Sequence, residues 1–292
     1  MDVLQALSEG RILIADGAWG TQLDVRGLPR GAAPETWVLD NPQAVLDVGR
    51  SYAAVGPDIL MTNTLGGTRI KLARIGLADR VEEVNRHAVE LSQQAADGRM
   101  PVWASVGSTG EFLAPLGTVT EDEMTEVFAE QVAALLAGGA EGFVIESMID
   151  LGEAQAALRA AKQHSDLPAV VSMTFEKGAR GYATIMGVRP EQAAEELQAA
   201  GADIVGSNCG HGVREMVEVI ALMGPATDLP LWAKPNAGMP KLIDGRTVFD
   251  ETPEEFVGHF DALVAAGARV VGGCCGTTPE HIRALVHARD AL

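Results

Sequence analysis

The stretch Ala199-Ala200-Gly201-Ala202-Asp203-Ile204-Val205 decides the fold class, because its arrangement returns along the chain. Small residues and a glycine end a helix-like segment, and a short apolar run follows. Glycine just past a helix end supplies a left-handed cap. An unbroken apolar run is typical of a strand buried on both faces of a parallel sheet. The arrangement recurs at 53–60, 138–144 and 265–271, and it predicts repeated helix–strand units.

Counting outward from this stretch gives eight predicted strands and eight predicted helices. The strands are predicted at 12–16, 59–63, 102–106, 142–146, 169–174, 204–208, 231–235 and 270–274. The helices are predicted near 42–55, 80–96, 122–137, 151–163, 190–200, 213–223, 253–266 and 279–291. Proline after a capping residue, as at Thr252 and Thr278, marks helix starts. Eight alternating units predict an α/β protein with a (β/α)8 TIM barrel, and a doubly wound open sheet is the alternative.

Composition narrows the function classes. The chain has 292 residues, with 22 basic and 40 acidic residues and a formal charge of −18. Nucleic-acid binding normally needs a basic face, so that class is excluded, and an anionic membrane surface is disfavoured. No apolar run reaches the roughly 18 residues of a membrane span, and residues 1–10 lack a signal-peptide pattern. We therefore expect a cytoplasmic protein, and without a linker-like segment a single domain over 1–292.

The unusual polar residues of the chain, with the small residues beside Asp16, lie at the carboxyl ends of the predicted strands or just after them. In a barrel, the carboxyl ends of all strands meet at the face where active sites lie. We therefore expect these residues to converge. They are Asp16, Gly17, Ala18, Thr62, Asn63, Glu146, Ser147, Asn208, Cys209, Asn236, Cys274 and Cys275.

The three cysteines are candidate metal ligands. An odd number with two adjacent does not make a disulfide framework, so in a reducing compartment they are free, buried or metal-bound. Zn²⁺ binds thiolate strongly, and catalytic zinc keeps three protein ligands and one open position. Cys274 and Cys275 reach one ion only if the backbone bends between them, which neighbouring glycines permit. The alternative is three buried apolar thiols.

A sulfur-rich zinc site favours one kind of chemistry. A thiol that enters the open position loses its proton, and the anionic centre formed by Cys209, Cys274 and Cys275 leaves that sulfur nucleophilic. Histidine-rich sites suit hydrolysis instead, since there the metal acidifies water. The pattern therefore predicts alkyl transfer to a thiol.

The other strand ends are candidates for binding an amino-acid substrate. Asp16 and Glu146 are possible acceptors for an α-ammonium group, although Asp16 before a glycine is also typical of a turn. The backbone N–H groups of Gly17 and Ala18 would bind a carboxylate. The three asparagines either orient ligands or brace loops; they are Asn63, Asn208 and Asn236.

These motifs resemble the homocysteine S-methyltransferase family. The block from Gly272 to Ile282 is similar to the family's double-cysteine signature, and the blocks at 16–21, 62–64 and 206–209 follow the family's order. The resemblance implies a (β/α)8 barrel, zinc on three cysteines that match Cys209, Cys274 and Cys275, and homocysteine as substrate. It also implies that Asp16, Gly17 and Glu146 hold the amino-acid end, and that Asn236 lies in a block that approaches the metal.

The methyl donor stays open in this resemblance. Betaine-using members carry tyrosine where this chain has Ser147, which speaks against betaine. A small sulfonium or ammonium donor and a methyl-corrinoid on a separate partner protein are both expected candidates. The blocks at 174–178 and 234–238 resemble the homocysteine modules of cobalamin-dependent methionine synthases. A non-catalytic zinc protein, with a fourth protein ligand closing the metal, is the alternative from another class. A homo-oligomer is left open.

Overall fold

The computed structural model describes residues 1–243 and 246–292 of the chain, and parallel strands dominate its centre. The strands are β1 Leu13–Ile14, β2 Leu60–Met61, β3 Val102–Gly107, β4 Phe143–Met148, β5 Ala169–Met173, β6 Glu176–Gly178, β7 Gly181–Ala183, β8 Ile204–Gly212, β9 Leu231–Asn236, β10 Lys241–Ile243, β11 Arg246–Val248 and β12 Ala268–Val271. Across the described residues, eight strands form one parallel sheet in the order β1-β12-β9-β8-β5-β4-β3-β2. Each coincides with a predicted strand, so the α/β prediction is confirmed.

The sheet curls until its first and last strands approach each other. The continuous ladder of backbone hydrogen bonds does not pass from β2 back to β1, because these two strands share only an isolated parallel bridge between Ala15 and Ile59. Two backbone hydrogen bonds accompany that bridge: Ile59 N–H donates to Ile14 O at 3.2 Å, and Asp16 N–H donates to Ile59 O at 3.1 Å.

Helices cover the outside of the sheet. They are α1 Val3–Ser8, α2 Gly20–Val25, α3 Trp37–Asp40, α4 Pro42–Ala53, α5 Arg69–Ala73, α6 Val81–Ala96, α7 Glu121–Ala137, α8 Leu151–His164, α9 Pro190–Ala199, α10 Val213–Met223, α11 Pro253–Val257, α12 Phe260–Ala265 and α13 Pro279–Asp290. The prediction of one helix at 253–266 was wrong, because Gly258 and His259 separate α11 from α12; glycine is a poor helix former. Among the described helices, none has the length and apolarity needed to cross a membrane.

The recurring acid of the helix–strand units has a structural role. In three units, an acidic side chain just before one strand of the parallel sheet accepts a hydrogen bond from a backbone N–H of the neighbouring strand in that sheet. The bonds join Ile14 to Asp58, Val102 to Glu141 and Ala169 to Asp203, each at 2.8 Å. Each bond satisfies a buried backbone donor that a strand end would otherwise leave unpaired. The acids therefore fasten neighbouring strands at their N-terminal ends.

The inside of the curled sheet is filled by its own apolar core. Trp103 and Trp232 are the largest side chains there, and both are buried. Helix α1, which the sequence did not predict, covers the N-terminal end of this core with Val3, Ala6 and Leu7. The opposite, carboxyl end of the sheet is left for polar residues and a cavity.

Candidate active site

Three thiols meet at the carboxyl end of the sheet. The Sγ atoms of Cys209, Cys274 and Cys275 lie within 4.8 Å of one another, and none of the three forms a disulfide. The Sγ of Cys209 is 2.8 Å from that of Cys274 and 3.7 Å from that of Cys275. The structure therefore brings together the residues that the sequence placed 66 positions apart.

Irregular backbone conformations orient these thiols toward one another. Cys209 has φ +59°, in the left-handed region that non-glycine residues rarely adopt, and the register of β8 against β9 shifts just beyond Asn208. The last strand was predicted to run to Cys274, but β12 ends at Val271. Both adjacent cysteines therefore lie in the turn that follows, where Gly276 has φ +82°. This turn releases them from the alternation of a strand, so both point to one place.

Because the three thiols lie close together, their pKa values differ. Hydrogen bonds from Cys209 and Cys274 lower the pKa of Cys275 to about 4. The same contacts, together with burial, raise the pKa of Cys209 well above its ordinary value. Cys275 is therefore the most acidic thiol of the cluster, because its neighbours stabilise its thiolate.

The residues fit a zinc ion. Three thiolates at about 2.3 Å from tetrahedral zinc would be roughly 3.8 Å apart, which matches the 3.7 Å between Cys209 and Cys275; the closer contact to Cys274 would open by about 1 Å. The Oδ1 of Asn236 is buried and accepts no hydrogen bond from any described residue. Asn236 is tied to the same turn, since Ala237 N–H donates to Cys275 O at 3.0 Å. A buried amide oxygen without a hydrogen-bond partner, on the strand end that contacts this turn, is a candidate fourth donor to the metal.

A cavity of about 680 Å³ opens above the thiols. Of the predicted site residues, those that line it are Gly17, Ala18, Thr62, Asn63, Glu146, Ser147, Cys209, Cys274 and Cys275. Trp19 also lines the cavity and packs against the apolar core outside the sheet. The remaining predicted residues, Asp16, Asn208 and Asn236, are buried behind its wall.

Asn208 braces the cavity wall. Its Oδ1 accepts from the backbone N–H of Ser147 at 2.8 Å and from the Ser172 hydroxyl at 2.7 Å. Its Nδ2 donates to the Ser147 hydroxyl at 2.8 Å and approaches the Sγ of Cys274 at 3.8 Å. Of the two alternatives for this asparagine, these contacts favour loop bracing. Ser147 is thereby held at φ +59°.

Beneath the cavity lies an ion pair that the sequence analysis missed. The Nζ of Lys234 is 3.1 Å from Asp16 Oδ1, and both side chains are almost wholly buried. Asp16 Oδ2 also accepts from Trp19 Nε1 and from the Met61 N–H, each at 2.9 Å. A lysine within the apolar strand 231–236 was the available signal, because such a cation needs a buried partner.

Glu146 is the carboxylate that lines the cavity on the same side as the thiols and Lys234. Its Oε1 accepts a hydrogen bond of 2.6 Å from the Ser105 hydroxyl. Burial raises the pKa of Glu146 to about 7, although Lys234 acts in the opposite direction. Near neutral pH this carboxyl is thus poised between its protonated form and an anion that attracts a cation.

Comparisons with known proteins agree with this arrangement. A family model described as homocysteine S-methyltransferase matches residues 13–289. The methionine synthases of Mycobacterium leprae and Mycobacterium tuberculosis are each 28% identical over 98% of this chain. The chain spans only 25% of the length of these two relatives. The metallated homocysteine methyltransferase MmuM from Escherichia coli superposes with a TM-score of 0.82 at 24% identity, covering 98% of this chain and 99% of that chain. This likeness shows a shared fold.

Proposed function

Because the chain belongs to the homocysteine S-methyltransferase family, we propose that it transfers a methyl group to the thiol of homocysteine and forms methionine. The observation that carries the proposal is the convergence of Cys209, Cys274 and Cys275 at the floor of a cavity. Cys209 of β8 and the two cysteines of the turn after β12 supply a sulfur-rich donor set. Such a set suits transfer of an alkyl group to a thiol rather than hydrolysis.

We propose that these three cysteines hold Zn²⁺. When bound, zinc supplies a Lewis acid that lowers the pKa of an incoming thiol and keeps its sulfur nucleophilic at neutral pH. The buried amide oxygen of Asn236 is the candidate for a fourth ligand that the substrate displaces. If Asn236 instead closed the metal permanently, the chain would be a non-catalytic zinc protein.

We assign the α-ammonium group and the carboxylate of homocysteine to two different groups of the protein. Glu146 faces the cavity, and as an anion it binds the α-ammonium group. The backbone N–H of Gly17 donates to no described residue, so it is the better candidate for the carboxylate. The N–H of Ala18 already donates to the Thr277 hydroxyl at 3.1 Å. Asp16 supports the site from below through Lys234.

A test combines metal content with activity. Purified chain should contain about one zinc and form methionine from homocysteine and a methyl donor, and Cys209→Ser, Cys274→Ser and Cys275→Ser should lose both. Ser165→Ala, at the end of α8, is the control that should lose neither. X-ray absorption at the zinc edge should gain a sulfur ligand when homocysteine is added. Full activity in a variant lacking all three cysteines, or a metal environment unchanged by homocysteine, would exclude the proposal.

A second candidate keeps the same homocysteine site but takes the methyl group from a corrinoid on a separate partner protein. Exposed apolar side chains favour it, because seven of them lie in the segments that connect strands of the parallel sheet to the helices that follow, and these segments leave the carboxyl end of the sheet. They are Val25, Leu65, Phe112, Leu116, Ile185, Met239 and Leu242. Apolar side chains concentrated on one face are typical of a protein-docking surface.

Turnover of the purified chain separates these two candidates. S-methylmethionine or dimethylsulfoniopropionate should give methionine without a partner if the donor is a small molecule. Methionine formed only with added methylcobalamin would support the corrinoid candidate.

We also propose that the curled sheet is a closed (β/α)8 barrel and that residues 1–292 form one domain. The hydrogen bonds that join β1 to β2 support closure. The packing of α13 against β1 and α4 supports a single domain, because it joins the last helix to the first units. A homo-oligomer stays a prediction.

A further inference from the structure

The outer end of the cavity carries two cations that the homocysteine site does not use. Lys71 and Arg74 both line the cavity, from α5 and its C-terminal cap. The Arg74 side chain is 51% exposed, whereas the thiols are largely buried, so the cations lie toward the mouth. The cavity is therefore longer than a site for homocysteine alone.

The two cations converge on one point. A Cβ atom built on Gly110 would lie 3.5 Å from Lys71 Nζ and 3.3 Å from Arg74 Nη1. Gly110 has φ +77° and carries no side chain, so both cationic groups approach the same side of its backbone and no side chain of Gly110 separates them. Two like charges directed at the same space repel each other unless an anion lies between them.

Existing acids leave most of these donors unpaired. Glu111 binds only the Nη2 of Arg74, at 2.9 Å. The Nζ of Lys71 makes no hydrogen bond or ion pair with any described residue. Glu35 lies near enough to be affected by the charge of Lys71, but it accepts the N–H of Gly66 instead. Asp24 also lines the cavity without pairing with either cation. Lys71 Nζ and Arg74 Nη1 thus remain as donors for a ligand.

We propose that Lys71 and Arg74 form an anion subsite that binds the carboxylate of a dipolar methyl donor. The proposal rests on the proposed function. The inner end of the cavity, with three cysteine sulfurs that carry negative charge as thiolates, attracts a cationic methyl centre, while the outer end attracts an anion. A small molecule with an onium group at one end and a carboxylate at the other matches both. In the transfer, the methyl–sulfonium bond breaks, its electron pair leaves with the sulfide, and the homocysteine thiolate forms the new carbon–sulfur bond.

Two donors that differ in the carboxylate provide the test. Dimethylsulfoniopropionate carries one, and trimethylsulfonium carries none. With the zinc-loaded chain and homocysteine, Lys71→Met should raise KM for dimethylsulfoniopropionate about tenfold, the loss expected for one charge-assisted hydrogen bond. Its kcat and the KM for trimethylsulfonium should change less than about twofold. Adding Arg74→Gln should deepen the selective loss. Arg80→Gln removes a nearby exposed arginine that pairs with Glu83 and should change nothing.

Titration calorimetry of the same ligands gives a second readout that needs no turnover. The wild-type chain should bind dimethylsulfoniopropionate more tightly than trimethylsulfonium, and Lys71→Met should remove the difference. Equal effects on both ligands, no effect on either, or no binding of dimethylsulfoniopropionate to the wild type would overturn the subsite. If binding depends on Lys71 but no donor yields methionine, the proposed function fails and the subsite stands.

Discussion

The two ends of the curled sheet are built from different kinds of residue. At the N-terminal end, α1 covers an apolar interior with Trp103 and Trp232, and carboxylates fasten the strand starts. At the carboxyl end, the strands run into thiols, a buried lysine and carboxyls around a cavity. One end buries apolar surface, which stabilises the fold, whereas the other buries charges, which costs stability unless they are paired.

This contrast teaches that stability and chemistry are separated along the strands. Left-handed backbone at Ser147 and Cys209 occurs at the carboxyl end, where strain is tolerated because the apolar end holds the sheet together. Substitutions at the apolar end should therefore mainly lower the free energy of unfolding, whereas substitutions at the carboxyl end should mainly lower zinc binding and activity.

The largest effect is expected at the carboxyl end. Cys274→Ser removes one of three thiols, so homocysteine methylation should fall by at least about 10³-fold. The free energy of unfolding of the metal-free protein should change by less than about 1 kcal/mol, because serine is similar in size. Steady-state kinetics and urea unfolding measure the two. A variant that stays active, or that unfolds as readily as a core variant, would break the contrast.

The apolar end should behave in the opposite way. Trp103→Ala leaves a large hole in the interior and should lower the free energy of unfolding by about 3–4 kcal/mol. Zinc content and the KM for homocysteine should be unchanged below the unfolding transition. Urea unfolding, followed by metal analysis of the folded fraction, checks this. Loss of zinc from the folded variant would show that the two ends are coupled.

The buried ion pair sharpens the comparison. Lys234→Met leaves Asp16 charged, buried and without its cation, which should cost about 3 kcal/mol of unfolding free energy. Adding Asp16→Asn removes the unpaired charge and should recover most of that loss. A double-mutant cycle by urea unfolding measures the recovery. Additive losses would mean that the two side chains do not stabilise each other.

A smaller effect is expected from the titration of Glu146. Its pKa is raised to about 7, mainly by burial, so homocysteine should bind about tenfold more weakly for each pH unit below 7. The folded state favours the protonated carboxyl, so this group makes the protein less stable as pH rises from 4.5 toward 7. Calorimetry of the zinc-loaded chain between pH 6 and 8 measures the binding. Glu146→Gln should keep only the pH dependence that comes from the substrate thiol, and an unaltered profile would contradict this role.

Sequence alone predicted the repeating parts of the molecule and its family, which the family match confirms. The eight strands could be found because each contains a short apolar run, and four of these runs follow the same pattern of small residues and glycine. Helix α1 and the hairpins β6–β7 and β10–β11 were not predicted, since they are too short for a pattern to accumulate. The turn at Gly276 agrees with the backbone bend that was predicted beside Cys274 and Cys275. The residue at which β12 ends could not be predicted, because it depends on the pairing of β12 with β1 and β9.

At the site, the cysteines were predictable because their motif is specific. The roles of Asp16 and Lys234 were not, because their contact joins residues 218 positions apart. The distance between two strand ends is set by the curvature of the whole sheet. The convergence of Lys71 and Arg74 above Gly110 has the same origin.

The 2.8 Å contact between Cys209 and Cys274 has a consequence for handling and for physiology. An oxidant such as peroxide that takes two electrons from this pair would join the sulfurs in a disulfide and remove two of the three proposed zinc ligands. Oxidation and metal loading therefore exclude each other. The rate at which the methylated product forms would then depend on the reduction potential of the surroundings. A preparation oxidised by air would regain activity with a reductant and zinc together, but not with either alone.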